Sequence, residues 1–237
     1  MADLPVLLPE GLNATLSRVL DIEGKIPRAI EALGPVSGRD ALLVADVDGL
    51  RARQLRELGA RVTLAPGERL AFDVPDDSFD VVVGFWTSFR DAAPTEVAEA
   101  ERVLRPGGRL LVVHDYGRDD VSHLHGARPE YAAWSKPRGP FLSQGFRIRV
   151  IHCFWTFESA EACTAFLTEA FGGAGEQLAA ELKRPRLSYN VAVYHRTSGK
   201  ASMAERGAAA RAGERGLAGS AAGGDSSAGD SNPRAAT

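Results

Sequence analysis

Three neighbouring side chains, His114, Asp115 and Tyr116, follow the apolar run Leu110-Leu111-Val112-Val113 and are the best-placed groups in the chain to take a proton from a hydroxyl or an amine. A second grouping lies at residues 41–49, ALLVADVDG, where an apolar run enters a turn and then a helix-like segment. That is the layout of a nucleotide-type cofactor loop, yet such a loop needs glycines so that backbone N–H groups can approach the ligand. This turn offers Ala45, Asp46, Val47 and Asp48 before a single Gly49. Asp46 and Asp48 have the chemistry to attract a cationic group, but carboxylates before a helix are commonly N-caps. A third grouping, Phe85-Trp86, ends an apolar run and has two uses: to stack on a planar ligand or to plug a pocket.

Other chemistries have less support. No Ser-His-Asp order, Cys-x-x-Cys pair or phosphate-binding P-loop is present. His123 and His125 with Asp119 have metal-ligand types, but His-x-His in a polar loop is ordinarily uncoordinated, so no metal is expected. His152 and His195 fall in strand-like runs and are expected to be packed and hydrogen-bonded.

These groups need strands to hold them. Residues 41–45, 61–65, 79–85 and 109–114 read as strands, the third being an apolar, β-branched run between turn signals. Helical spacing appears at residues 12–33 as one or two helices, at 50–58 with Gly59 as a stop, and from Pro94 to the Pro106-Gly107-Gly108 turn. A polar connection over residues 115–140 is long enough to hold a site. Residues 146–157 and 187–195 read as two more strands, separated by a helix that Gly172-Gly173 ends and by a further one marked by Leu178 and Leu182. Alternating strands and helices predict a mostly parallel α/β sheet with helices on both faces.

The chain has 237 residues, 28 basic and 31 acidic, so its charge balance of -3 does not call for nucleic acid as a partner. Lys136 with Arg138, Arg147 with Arg149, and Lys183-Arg184 with Arg186 are local basic clusters of the kind that usually face solvent. From Thr197 onward Ala, Gly and Ser dominate, and such a segment cannot bury enough surface to order itself. The expected organisation is a helical segment at 1–40, an α/β domain at 41–196 and a disordered tail at 197–237. Cys153 and Cys163 read as unpaired core thiols, and no stretch reaches membrane-span length; a cytoplasmic protein acting without a membrane is the expectation.

Two segments carry a resemblance: residues 75–83, PDDSFDVVV, and residues 99–113, EAERVLRPGGRLLVV. In this order and spacing they resemble the class I S-adenosylmethionine-dependent methyltransferases, particularly the small-molecule group labelled methyltransferase type 11. The resemblance implies a Rossmann-like fold with a closing antiparallel strand, S-adenosylmethionine as cofactor and a small-molecule substrate. It implies Ala45, Asp46, Asp48, Gly49, Asp73, Phe85 and Trp86 around the cofactor, with His114, Asp115 and Tyr116 as candidate catalytic groups.

The cofactor region departs from the family pattern. Leu43 stands where the first strand usually carries an acid, and Ala45 and Val47 replace two glycines. No carboxylate stands near Pro66, where the family binds the ribose hydroxyls. Only thirteen residues separate Ala65 from Phe79, in place of a helix and a third strand, leaving Asp73 as the replacement adenine contact. A shortened sheet edge and an altered pocket follow. The alternative is a non-catalytic relative that keeps the fold as a binding or assembly module with a protein partner.

Overall fold

A computed structural model describes residues 4–6, 8–44, 49–66, 71–126 and 128–200, leaving the expected cofactor residues Ala45, Asp46 and Asp48 outside the described residues. Two helices, α1 (Glu10–Val19) and α2 (Lys25–Leu33), precede β1 (Asp40–Val44), α3 (Leu50–Glu57), β2 (Arg61–Ala65) and β3 (Phe79–Phe85). After a 3-10 turn at Arg90–Ala92 come α4 (Pro94–Val103) and β4 (Leu104–Asp115). The polar connection holds three short helices, α5 (Asp120–His125), α6 (Pro129–Trp134) and α7 (Pro140–Ser143). Strand β5 (Arg147–Thr156), helix α8 (Ala160–Glu181) and strand β6 (Arg186–Thr197) complete the order.

The strands form one six-stranded sheet in the order β2-β1-β3-β4-β6-β5. β1 pairs in parallel with β2 and β3, β3 with β4, and β6 runs antiparallel to both β4 and β5. Because β2 and β3 lie on opposite sides of β1, the chain reverses direction across the sheet there, and the carboxyl ends of β1 and β3 frame a ligand crevice. One apolar layer packs Leu16, Ile26, Leu55, Val83, Val113, Trp155 and Leu167 on one face. The other packs Val82, Val97, Leu110, Val112, Trp134 and Phe141 on the opposite face. Burial on both faces explains why β1, β3 and β4 are nearly continuous Val/Leu runs.

Several local expectations change. The Pro106-Gly107-Gly108 turn sits inside the bounds of β4: Leu104 pairs with Phe79, the register shifts, and regular pairing resumes at Arg109 opposite Val81. As expected, the helical stretch at residues 160–181 is two helices meeting at a kink at Gly172, whose φ of 59° and ψ of -139° are not helical. His152 is exposed rather than packed, although its Nδ1 lies 2.7 Å from Asn190 Oδ1. The ordered packing continues beyond Arg196: Ser198 is buried and bonded to Glu101, and Lys200 Nζ donates to Arg102 O and Leu104 O.

The sheet ends at β2, and among the described residues between β2 and β3 there is neither a helix nor a strand. Residues 71–78 are strapped to α4 instead. Glu99 accepts from Phe72 N, while Arg102 donates to Phe72 O, Val74 O and Asp76. Cys153 and Cys163 are buried and unpaired, and no described helix is long and apolar enough to cross a membrane.

Candidate functional site

The site begins with the alternation of β4. Successive side chains of a strand face opposite sides, so Leu110, Val112 and His114 share one face and Leu111, Val113 and Asp115 the other. His114 therefore enters the layer containing Trp134 and Phe141, with ring centres 4.7 Å and 5.9 Å away. Its ring bonds to the backbone of Ser88 and Phe89, and burial, reinforced by nearby Arg90, pushes its pKa down to about 3. It is a neutral core histidine that does not line the pocket beside Asp115.

Asp115 lies on the other face, at the floor of a cavity of about 710 Å³ measured out to its open mouth. Tyr116, Gly117, Arg118, Val121, Ser122, Arg128, Tyr131, Ala132 and Tyr189 are among its walls, with Pro5 at one side. Trp86 Nε1 donates to Asp115 Oδ1 at 3.0 Å and approaches Tyr189 Oη at 3.1 Å. The hydroxyls of Tyr189 and Tyr131 also bond to the carboxylate. Burial pushes Asp115 up to about 6 against the opposing pull of these bonds from Tyr189, Tyr131 and Trp86. Tyr131 rises to about 12, from burial first and then the adjacent carboxylate.

Long-range pairing assembles this group. Asp115 is in register with Val191 on β6, and Tyr116 N donates to Asn190 O at 2.8 Å, bringing Tyr189 beneath the pocket. Asp119 caps α5 by accepting from Ser122 N at 2.7 Å and also receives Asn190 N, while Asp120 accepts from Ser188 N and Oγ. Arg90 pairs with Glu130 at 3.1 Å, and Trp134 Nε1 donates to Asp91, fixing α6 and therefore Tyr131. His123 is exposed on α5, and no metal-ligating cluster of three occurs among the described residues.

The neighbouring crevice at the ends of β1 and β3 has a different filling. Phe85 and Trp86 are 2% and 5% exposed. The Arg51 guanidinium lies 5.3 Å and 4.9 Å from their ring centres and donates to Gln54 Oε1 at 2.7 Å. The following chain folds back over the sheet at Gly84, where an added Cβ would lie 2.6 Å from Phe89 and Ser88 atoms. Trp86, Phe89, Asp91 and Ala92 take left-handed backbone conformations, each costing on the order of 1 kcal/mol.

For S-adenosylmethionine, this crevice matches in place rather than in contacts. Gly49 stands at the amino end of α3, beside the crevice frame. Ala65-Pro66 brings no carboxylate to the end of β2, Asp73 is exposed on the strapped segment, and Arg51 covers the aromatic pair. The described residues do not reproduce the family's ribose contact.

Of the residues expected to do chemistry, Asp115 and Tyr116 line this cavity and His114 does not, while Trp86, expected at the cofactor, bonds to Asp115 from outside the lining. Tyr131, Tyr189, Arg118 and Arg128 also line it and were not singled out from the sequence. Tyr131 lies in the helix-like stretch 129–136, PEYAAWSK, and alternation along 187–195, LSYNVAVYH, puts Tyr189 on the strand face of Leu187 and Val191. Neither pattern says that the two tyrosines meet one carboxylate.

Residues 43–112 match the family described as a methyltransferase domain. The chain is similar to the ubiquinone/menaquinone biosynthesis C-methyltransferase UbiE of Dinoroseobacter shibae, with 35% identity over 106 residues, 40% of this chain and 41% of that protein. UbiE of Paracoccus denitrificans is 37% identical over 68 residues, covering 28% of this chain and 27% of its own length. The chain spans about two fifths or less of the curated relatives it matches. Among solved structures it is similar to the YcgJ protein from Bacillus subtilis, with TM-score 0.45, 12% identity, and coverage of 76% of this chain and 100% of that one. The matched segment contains the end of β1, the PDDSFDVVV strand and most of the RVLRPGGRLLVV segment. Over residues 43–112 the chain is similar to methyltransferase domains, and its sheet order fits the Rossmann-like class I methyltransferase fold.

Proposed function

We propose that this chain is a divergent S-adenosylmethionine-dependent methyltransferase whose acceptor is a small molecule bound over Asp115. The observation carrying this reading is a carboxylate raised to about 6, held by Trp86, Tyr131 and Tyr189 on the floor of a cavity at the carboxyl edge of the sheet. When bound, S-adenosylmethionine supplies a methyl group open to in-line displacement, for which alignment provides much of the catalysis. Asp115 is placed to take the proton from an acceptor hydroxyl or amine held in the cavity. Near neutral pH the carboxylate is ionised yet more basic than an ordinary Asp. Its three donors fix its orientation, and Tyr116 forms a wall of the same cavity. Buried, unpaired Cys153 and Cys163 support a reducing, cytoplasmic setting.

Calorimetric titration of the full chain with S-adenosylmethionine and S-adenosylhomocysteine tests this. Micromolar binding is expected, and absence of binding at millimolar ligand overturns it. A second reading, a non-catalytic binding module, is favoured by Arg51 covering Phe85 and Trp86 in the crevice. Binding of small molecules over Asp115 without binding of either sulfur compound selects that reading.

A further inference from the structure

The acidic side chains around the cavity are already engaged. Asp119 holds Ser122 and Asn190, Asp120 holds Ser188, and Glu130 holds Arg90. Asp115 has its three donors. Ser122 Oγ is committed to Asp119 and Ser135 Oγ to Ala132 O. Two charged walls remain. Arg118 and Arg128 are exposed and line the cavity, and among the described residues neither guanidinium is paired with a carboxylate.

Arg118 has a second distinguishing feature. It follows Gly117, and both residues take positive φ, 80° and 63°. A non-glycine residue in this region is strained, and such strain at a cavity wall points towards function. Its guanidinium carbon lies 5.6 Å from the Tyr116 ring centre. The remaining lining is aromatic and apolar, from Tyr116, Tyr131, Tyr189, Val121, Ala132 and Pro5. Thus one site combines a buried carboxylate floor, a largely aromatic wall and a cationic mouth.

We propose that the ligand over Asp115 is an aromatic hydroxy-carboxylic acid, with its carboxylate at Arg118 and Arg128, its ring against the tyrosines and its hydroxyl directed to Asp115. A carboxylate suits the planar, multi-donor guanidinium groups at the mouth, and an aromatic body suits the walls. A hydroxyl at the opposite end reaches the one carboxylate on the floor. This rests on the methyltransferase reading only in calling the ligand an acceptor; binding itself does not require methyl transfer.

The test uses the full chain and two probe pairs that differ only in charge: 4-hydroxybenzoate with 4-hydroxybenzamide, and 6-hydroxy-2-naphthoate with its amide. Calorimetry at pH 7.5 is expected to show each acid binding at least tenfold more tightly than its amide. Arg118→Gln with Arg128→Gln should remove that preference while leaving amide affinity within twofold and the melting temperature unchanged. Equal binding of acid and amide, survival of the preference in the double variant, or no binding of either pair at millimolar concentration overturns the proposal. If the acid preference holds but S-adenosylhomocysteine does not bind, only the methyltransferase reading falls. Methyl transfer to the neutral amide at the same rate as to the acid leaves that reading standing and overturns the anionic class.

Discussion

The carboxyl edge of the sheet has two neighbouring regions that end similar apolar strands in opposite ways. At β4 the chain stays hydrogen-bonded to β6 past Asp115, then leaves through Gly117 and Arg118 to α5, with a cavity beneath it. At β3 it doubles back over Gly84, and Phe85, Trp86 and Arg51 fill the space. The first arrangement leaves an open cavity, and the second closes its space. Trp86 belongs to both, because its ring faces Arg51 while its N–H reaches Asp115. The comparison teaches that one part of the sheet edge can keep an organised cavity while its neighbour is filled by side chains, with Trp86 coupling them.

The sharpest break of this comparison is at Asp115. With the best acceptor from the proposed class, Asp115→Asn should lower turnover by roughly 10²–10⁴-fold, the usual contribution of a positioned general base. Wild-type kcat/KM should rise with pH around the Asp115 value of about 6. Stability should move oppositely. Because the folded pKa lies above the ordinary 3.8, the folded protein binds more protons between these values, and stability falls by about 3 kcal/mol as pH rises through that window. Asp115→Asn should flatten that contribution in thermal denaturation measured from pH 4 to pH 7.5. An unchanged rate in the Asn variant would remove Asp115 from the reaction.

Trp86 tests the coupling. Trp86→Ala should cost about 3–5 kcal/mol, the range for truncating a buried Trp, measurable by urea titration. Trp86→Phe keeps a ring beside Arg51 but removes the donor to Asp115, with an expected loss of about 1–2 kcal/mol. The Phe variant should also shift the pH–rate midpoint upward, because one bond that lowers the Asp115 pKa is gone. A variant with wild-type midpoint would show the two regions to be independent.

Much of the frame was legible because its signals are local. The Val-rich run at 79–85, the run after Pro106-Gly107-Gly108 and the short span before Phe79 correspond to β3, the regular part of β4 and the sheet edge at β2. The site was less legible because β4 is apolar on both faces, so alternation separates His114 from Asp115 without saying which face holds a cavity. Tyr189 reaches Asp115 through the β4–β6 register, and Tyr131 through the ties from α6 to Arg90 and Asp91. Those tertiary pairings have no local period. Gly172 was legible because its signal is local: a glycine takes the φ of 59° that separates the two helices of residues 160–181.

His114 offers the next test, as the core counterpart of Asp115 on the opposite strand face. Its folded pKa, about 3, lies below the ordinary 6.5, so the unfolded chain binds more protons and stability falls as pH drops through this window. By pH 4 that loss amounts to about 3 kcal/mol. His114→Phe should therefore gain about 3 kcal/mol relative to wild type on going from pH 7.5 to pH 4, read by urea titration at both values. Acceptor affinity should stay within twofold at pH 7.5. A large loss of affinity would move His114 into the acceptor site and dissolve the distinction between the two faces.

Arg51 gives the smallest and most selective perturbation. Arg51→Ala removes its interactions with the Phe85 and Trp86 rings and its bond to Gln54, for an expected loss of about 1–2 kcal/mol. That corresponds to a melting-temperature decrease of about 2–8 °C for a chain of this size. The aromatic hydroxy-acid probes should bind this variant within twofold of wild type, because Arg118, Arg128 and Asp115 remain in the other region. Parallel titration with S-adenosylhomocysteine reads the donor side, where affinity should change by more than that. If both affinities change together, Trp86 transmits the loss of Arg51 to Asp115 and the two regions act as one site. If neither changes, Arg51 is packing alone, and the donor must meet the sheet edge elsewhere.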